Sequence, residues 1–275
     1  MNKEACLYYI DIEKPTTGSP TWPYCINYDQ WELAQTPQYD QGHVKCPENC
    51  TSPILFDFYI NDIFKSVRGV LVPRLTSRIS GLLFDDDALI LSESSADLQA
   101  ALNTITEWSD TWEMVVNASK CGIITISGEL TTHMTLQVQK VNSADQYTYL
   151  GYIMNSKWDV SGTIKNNKNK VRKAVYAAYS FLRRTDALTA LKIKFINFVL
   201  MPIGCYGGET FGMSEARCKP IQSEIDKAIR MVANVGKSAA MKRITDELGI
   251  NSVFMRTSTA HERAYHKWPT SSRLR

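Results

Sequence analysis

The stretch Gly81-Leu-Leu-Phe-Asp-Asp-Asp-Ala-Leu-Ile-Leu-Ser92 decides the fold of this chain. Two apolar segments, Ile79 to Phe84 and Ala88 to Leu91, flank three consecutive aspartates, a pattern that predicts two strands joined by a tight turn. Two carboxylates about 5 Å apart repel by roughly 3 kcal/mol at an effective dielectric of about 20. Three of them beside buried strands therefore indicate a hard divalent cation such as Mg²⁺, which prefers oxygen ligands. A solvated Asp-rich turn is the alternative.

Other regular elements surround this hairpin. A capping box of Ser94 and Asp97 predicts a long helix from about Ala96, and Ser52-Pro53 predicts the start of another helix. Residues 13–51 show no sustained period and contain five of the ten prolines, so we expect them to be irregular. Apolar segments predict further strands at Ala5 to Ile12, Cys121 to Ile126, Met134/Leu136/Val138 and Tyr147 to Ile153.

Beyond Trp158 the pattern changes to helices alone. The apolar spacing predicts helices over residues 162–184, 188–200, 219–234 and 238–248, with Gly249 as the C-terminal cap of the last. The predicted fold class is therefore α+β. An antiparallel sheet with packed helices occupies residues 1–156, and an all-helical part occupies residues 157–275.

The charges are distributed unevenly along the chain. Residues 1–99 carry 7 Lys and Arg against 14 Asp and Glu, whereas residues 100–275 carry 24 against 14. Within the basic part, residues 160–185 contain no acid. A solvated helix usually interleaves acids with bases, so this segment predicts contacts to a nucleic-acid backbone, with an ordinary solvated face as the alternative. Its cations are Lys165, Lys168, Lys170, Arg172, Lys173, Arg183 and Arg184.

Several short segments in a fixed order identify a family resemblance. They are Tyr9 to Lys14, Ser52 to Phe56, Phe84 to Asp87, Asn117 to Cys121 and Tyr149 to Tyr152. In this order they resemble the reverse transcriptase domain of non-LTR (LINE-type) retrotransposons. The resemblance covers nearly all of residues 52–275, with an island at residues 5–14. It implies a polymerase palm-like antiparallel sheet in residues 1–156 and a helical, thumb-like region in residues 157–275.

The resemblance also implies roles for particular residues. Asp11, Asp86 and Asp87 match the catalytic aspartates, which in this family hold two Mg²⁺ ions. Lys120 matches the lysine near the phosphates of the incoming nucleotide, although an exposed lysine at a helix end is an equal alternative. Tyr149, Leu150, Gly151 and Tyr152 match the turn that grips the primer end, although core packing of the two tyrosines is also open.

The implied activity is RNA-directed DNA synthesis from deoxynucleoside triphosphates, with an RNA template, a DNA primer and Mg²⁺ as the cofactor. Three departures from the family predict that this copy is truncated or degenerate and inactive. The chain begins just before Asp11, so the fingers are expected to be missing; residues 15–51 do not resemble the family; and Asp85 replaces a small spacer. The alternatives are a non-catalytic basic remnant that binds nucleic acid and a translation product without a biochemical role.

The sequence also argues against some classes of protein. No apolar run reaches the ~18 residues of a membrane span, and the N-terminal apolar run is too short for a signal peptide. The seven cysteines form no repeating frame. We therefore expect an intracellular protein of the nucleus or cytoplasm, with no membrane partner and no small-molecule cofactor.

Overall fold

A computed structural model describes residues 5–13, 60–72, 77–84, 87–112, 114–116, 120–126, 133–137 and 139–267. These residues fall into two compact units, divided between Asp145 and Gln146. Mixed helices and short antiparallel sheets make up the described chain, as the α+β prediction requires. The predicted helix start at Ser52, most of the irregular segment 13–51, and Asp85 and Asp86 lie outside the described residues.

Among the described residues, the first unit is built on a sheet of five strands. These are β1 (Ala5–Glu13), β4 (Gly81–Phe84), β5 (Asp87–Ser92), β6 (Val115–Val116) and β7 (Gly122–Ile126). The strand order is β4-β5-β1-β6, and β7 also pairs with β1, which is therefore central. β1 includes Glu13, so the predicted start of the irregular segment at residue 13 is one residue too early. Two-residue strands form two small ladders, β2 (Val70–Leu71) with β3 (Arg78–Ile79) and β8 (Thr135–Leu136) with β9 (Gln139–Lys140).

A single long helix, α1 (Ser95–Thr111), packs on one face of this sheet. The Ser94 hydroxyl accepts a hydrogen bond from the Asp97 amide at 3.1 Å, which confirms the predicted cap. The predicted apolar stripe of α1 is buried at Leu98, Leu102 and Ile105. These side chains share one core with residues of the sheet and of the segment that begins at residue 60. The strand residues are Tyr8, Ala88, Ile90 and Ile123, and the others are Ile60 and Ile63.

The second unit begins with a hairpin and continues with helices. The hairpin consists of β10 (Gln146–Tyr149) and β11 (Tyr152–Asn155), so the single strand predicted over residues 147–153 is in fact two strands with a turn between them. The helices are α2 (Ser161–Ala177), α3 (Tyr179–Arg183), α4 (Thr189–Phe195), a π-helical turn (Ile196–Leu200), α5 (Met201–Cys205), α6 (Gly208–Phe211), α7 (Glu215–Ala233), α8 (Met241–Glu247) and α9 (Val253–Lys267).

The boundaries of these helices differ from the prediction for identifiable reasons. The helix predicted over residues 188–200 continues through Pro202 to Cys205, with the π-helical turn just before the proline. Proline lacks an amide N–H, and its ring clashes with the carbonyl four residues earlier, so a wider turn accommodates it. Gly249 has a φ of +63° directly after α8, as expected for a C-terminal cap. The prediction missed α9.

A separate apolar core holds the second unit together. It is formed by the buried stripes of α2 and α7, with contributions from the π-helical turn, α5 and α9. On α2 the buried positions are Thr163, Ile164, Asn167, Val171 and Val175, which repeat at helical spacing. The lysines and arginines of α2 consequently occupy the rest of its circumference.

Candidate functional site

Asp11 and Asp87 are directly paired in the antiparallel ladder of β1 and β5. Cross-strand partners share a face of the sheet, with Cβ atoms about 4.5–5.5 Å apart. The backbone register therefore brings two of the three predicted catalytic positions together at one end of the central strands. Asp86, the third position, lies outside the described residues.

The pleat of the sheet places these positions on the face away from α1. Ala88 and Ile90 point into the core beneath the helix, so the alternate position of Asp87 belongs to the opposite face. On that face, Leu82 pairs with Leu89 and is 38% exposed, and Phe84 pairs with Asp87 and is 62% exposed. Leu82 and Phe84 of β4 are therefore partly open to solvent on this face, whereas Leu89 of β5 is buried.

In the hairpin that carries the aspartates, Phe84 and Asp87 form the last pair of β4 and β5, and only two positions of the sequence separate them. This register confirms the predicted tight turn. It fixes Asp87 at the first position of β5, next to the turn residues and opposite Asp11.

Lys120 lies at the same end of the sheet. It is exposed and immediately precedes β7, whose ladder with β1 ends at the pair Gly122 and Tyr9. β6 and β7 both pair with β1, which pairs with β5 along its other edge. Lys120 occupies a turn before a strand rather than the helix end considered as the alternative.

The described residues contain no group of three or more His, Cys, Asp or Glu side chains able to hold a metal ion. The described register nevertheless fits a divalent cation, because it pairs two residues of the carboxylate type, Asp11 and Asp87. Carboxylate oxygens are the ligands that a hard cation such as Mg²⁺ prefers.

The second unit presents a basic face on α2. Lys165, Arg172 and Lys173 are exposed and point away from the buried stripe. Tyr176 lies on the same face and is 66% exposed, and Tyr179 at the start of α3 is 42% exposed. We call these five residues the basic-aromatic face. The sequence analysis predicted the cations of this face but not its two tyrosines. Their position among lysines and arginines in an acid-free segment is the pattern that would have indicated them.

Not every predicted cation is equally available. Arg183 donates a hydrogen bond to the Tyr179 hydroxyl at 2.7 Å and lies 5.6 Å from the centre of its ring. Arg184 forms a bidentate ion pair with Asp186, with hydrogen bonds of 2.9 and 2.5 Å. The Arg184 guanidinium lowers the pKa of Asp186 from 3.8 to about 2. Arg184 is thus neutralised by an acid just outside the acid-free segment.

The predicted primer-grip residues form the tip of the hairpin. Tyr149 and Tyr152 are paired, and Leu150 and Gly151 make the turn between them. Tyr149 is buried, which fits the core-packing alternative for this residue, whereas Tyr152 is partly exposed. Lys170 reaches the tip: its Nζ lies 3.7 Å from where a Cβ on Gly151 would stand. The structure therefore brings together the basic segment and the hairpin tip, which the sequence analysis treated as separate sites.

No helix within the described residues has the length and apolar character needed to cross a bilayer.

Comparisons with known proteins find similarity to reverse transcriptases. Residues 49–154 match the family described as reverse transcriptase (RNA-dependent DNA polymerase). The chain is also 23% identical over 140 residues to the RNA-directed DNA polymerase from mobile element jockey of Drosophila melanogaster. That alignment covers 48% of this chain and 15% of the length of the relative. The family match includes the aspartate hairpin, Lys120 and nearly all of the hairpin of β10 and β11, and these findings support the resemblance of this part of the chain to a reverse transcriptase domain of a LINE-type retrotransposon.

Proposed function

We propose that this chain is a nucleic-acid-binding part of an RNA-directed DNA polymerase, with Asp11, Asp86 and Asp87 as its catalytic carboxylates. The observation that carries the proposal is the direct pairing of Asp11 with Asp87 at the open end of the sheet. The first unit then corresponds to a palm and the second to a thumb-like part. An intracellular location, in the nucleus or cytoplasm, belongs to the same proposal.

The three aspartates would hold two Mg²⁺ ions. When bound, such ions lower the pKa of a primer 3′-hydroxyl and neutralise the charge on the triphosphate and on the leaving pyrophosphate. The open face beside Phe84 leaves room for a primer strand, and Lys120 provides a positive charge for the phosphates of a deoxynucleoside triphosphate. The Leu150–Gly151 turn contacts the primer strand in this proposal.

The basic-aromatic face contributes affinity for the RNA template and DNA primer. Exposed cations on one side of a helix neutralise backbone phosphates, and exposed tyrosines stack on bases where strands are unpaired. If about 5 phosphates are neutralised, affinity falls by roughly 10²- to 10³-fold between about 50 and 200 mM salt. This interaction requires no particular sequence.

We propose further that the isolated chain does not extend a primer. Residues 15–51 depart from the family, and Asp85 adds a third carboxylate to the turn, which raises the electrostatic cost of the hairpin. Positioning supplies much of the rate of phosphoryl transfer, so a displaced carboxylate is costly. The competing proposal, a non-catalytic remnant that binds nucleic acid, shares the basic-aromatic face but assigns no role to the aspartates.

The test uses the whole chain with a labelled primer–template, measured for binding and for extension in the presence of Mg²⁺ and nucleotides. We expect salt-dependent binding and no extension. Reversal of Lys165, Lys168, Arg172 and Lys173 to Glu should remove most of the binding, whereas reversal of the exposed Lys237 and Lys242 should not. Extension that Asp86→Ala abolishes would contradict the inactivity, and binding that survives the first reversal would contradict the thumb-like role.

Mg²⁺ distinguishes the two proposals. If the aspartates form a metal site, Mg²⁺ raises the thermal stability of the wild-type chain, and Asp87→Asn reduces that effect. A basic remnant without a metal site shows the same stability with Mg²⁺ and with a matched concentration of monovalent salt.

A further inference from the structure

An exposed apolar stripe follows the continuous helical segment formed by α4, the π-helical turn and α5. Its side chain of greatest exposure, Phe198, is 75% exposed, and Leu188 and Leu191 are 70% and 50% exposed. Several large apolar side chains on one side of a helix form a contiguous patch, and such patches mark interaction sites. The apolar stripe consists of Leu188, Leu191, Phe198, Val199 and Pro202.

The π-helical turn places two residues of the stripe at the surface. Ile196, Leu200 and Met201 are buried in the core of the second unit, so Phe198 and Val199, which lie between them, point outward. A π-helical turn is wider than an α-helical one, and such turns are frequent at functional sites. The wide turn therefore keeps the buried positions in contact with the core while it adds apolar surface on the outer side.

The helical segment that carries the stripe is fixed from its inner side. Nζ of the buried Lys192 donates a hydrogen bond to the carbonyl of Arg184, just after α3. The Arg256 guanidinium of α9 donates hydrogen bonds of 3.2 and 2.8 Å to the carbonyl and to Oδ1 of Asn197. The stripe is consequently a preformed surface, and a partner that binds it does not have to order it.

The stripe lies in a part of the chain that is basic and has no acid. Residues 187–208 contain two lysines and no Asp or Glu. Lys194 is exposed between Leu191 and Phe198, and among the described residues no carboxylate forms an ion pair with it. Because Lys192 is buried, Lys194 is the available charge of this surface. A complementary surface is therefore apolar with a carboxylate opposite Lys194.

This combination favours one kind of occupant over three others. A second copy of the chain would offer no carboxylate to Lys194, because its own stripe has none. Helices that lie on membranes carry many lysines and arginines on their polar face, whereas this stripe has a single exposed cation. A nucleic-acid backbone is bound through cations, and leucine and phenylalanine side chains do not neutralise phosphates.

We propose that the apolar stripe binds an amphipathic helix of a partner protein. The apolar side of that helix packs against Leu191 and Phe198, and a Glu or Asp at its margin pairs with Lys194. Such partner helices present apolar anchors at i, i+3 or i+4 and i+7. The proposal goes beyond the polymerase function and does not depend on it, because the stripe shares no residue with the predicted catalytic or nucleic-acid sites.

The experiment measures binding of two labelled helical peptides to the whole chain by fluorescence anisotropy. Each peptide has about 18 residues, long enough to span the stripe, and the same leucine face, but its flanking residues are Glu in the acidic peptide and Lys in the basic peptide. We expect the wild type to prefer the acidic peptide. Phe198→Gln and Leu191→Gln should each weaken its binding by about 10-fold. Leu71→Gln is the matched control, because Leu71 is 53% exposed in the first unit.

Reversal of one charge tests the complementarity. Lys194→Glu should weaken binding of the acidic peptide by about 5-fold and strengthen binding of the basic peptide, so that the preference is reversed. Lys242→Glu, at an exposed position of α8, should keep the wild-type preference. All these side chains are exposed, so we expect the same thermal stability for every variant, which separates a lost contact from a lost fold.

Several results would overturn the proposal. Peptide binding that Phe198→Gln and Leu191→Gln leave unchanged would place the contact elsewhere, for example in the groove lined by Met213, Met255 and Tyr265. Self-association of the wild type in sedimentation experiments that Phe198→Gln abolishes would make the stripe a contact between copies. Binding to phosphatidylserine vesicles that the same variant abolishes would make it a lipid contact. Primer–template binding is measured separately, so failure here leaves the proposed function intact.

Discussion

Asp11 and Asp87 occupy opposite positions in the ladder of β1 and β5, at the end where β5 begins. Opposed like charges destabilise an antiparallel pair. Two carboxylates at these positions would therefore repel each other, and in the proposed function a bound divalent cation would offset that repulsion.

Asp87→Asn should stabilise the metal-free protein by about 0.2–1 kcal/mol, because it removes this repulsion. The same variant should lose most of the stabilisation by Mg²⁺, which for the wild type reaches about 2.7 kcal/mol at 100 times the dissociation constant. Calorimetry with and without Mg²⁺ measures both effects. Glu107→Gln, at an exposed position of α1, is the control. An equal Mg²⁺ response in the variant and the wild type contradicts the metal site.

The ion pair of Arg184 and Asp186 predicts a pH dependence. The pKa of Asp186 is lowered to about 2 from 3.8, so the stability that it contributes is complete above pH 3.8 and is lost as the pH falls through about 2. Arg184→Gln should return the pKa of this carboxyl toward 3.8. NMR titration of the Asp186 carboxyl carbon measures the change. A low pKa that persists in the variant would show that another group causes it.

Asp186→Asn should increase the affinity for nucleic acid. It releases Arg184 from its ion pair, so one more cation becomes available to a phosphate, and the slope of log K against log salt should steepen by about 0.7–0.9. Binding measured over a range of salt concentrations tests this. Asp246→Asn is the control, because Asp246 is exposed and has no ion pair among the described residues. Equal slopes for both variants would place Arg184 away from the bound polymer.

The close packing of α6 against α9 predicts a stability effect at Gly212. A Cβ at this residue would lie 2.3 Å from the carbonyl oxygen of Thr257, so Gly212→Ala should destabilise the second unit by about 1–3 kcal/mol. Urea denaturation measures the loss. Gly236→Ala is the matched control, because nothing lies within 4 Å of its Cβ position. A neutral effect of Gly212→Ala would mean that the two helices separate at little cost.

Local sequence signals predicted the elements whose geometry depends on neighbouring residues. Ser94 and Asp97 form the predicted cap, and the two apolar segments around the aspartates form the predicted hairpin. The pairing of Asp11 with Asp87 was predicted only through the family resemblance. Residue patterns give the period of a strand, but they do not give its partner or its register.

The missed features depend on tertiary contacts. Thr257 is fully buried at a core position of α9, where it packs against Gly208 and Gly212, and a threonine there conceals the apolar period. The turn at Leu150 was implied only by the family resemblance; the local pattern predicted a single strand over residues 147–153, because leucine is not a turn residue. Its conformation depends on a hydrogen bond from Tyr206, which follows 56 residues later.

The central position of β1 has a consequence for synthesis of the chain. Cys6 pairs with Ser92, and Ala5 pairs with Ile126, so β1 waits for partner strands that are synthesised 92 − 6 = 86 and 126 − 5 = 121 residues later. At about 5–20 residues per second, the longer interval is roughly 6–24 s. Contacts of such long sequence separation also form slowly. Until β7 is synthesised, at least one edge of this apolar strand lacks its partner, and an unpaired apolar edge is prone to aggregation, so we expect β1 to benefit from chaperone protection during translation.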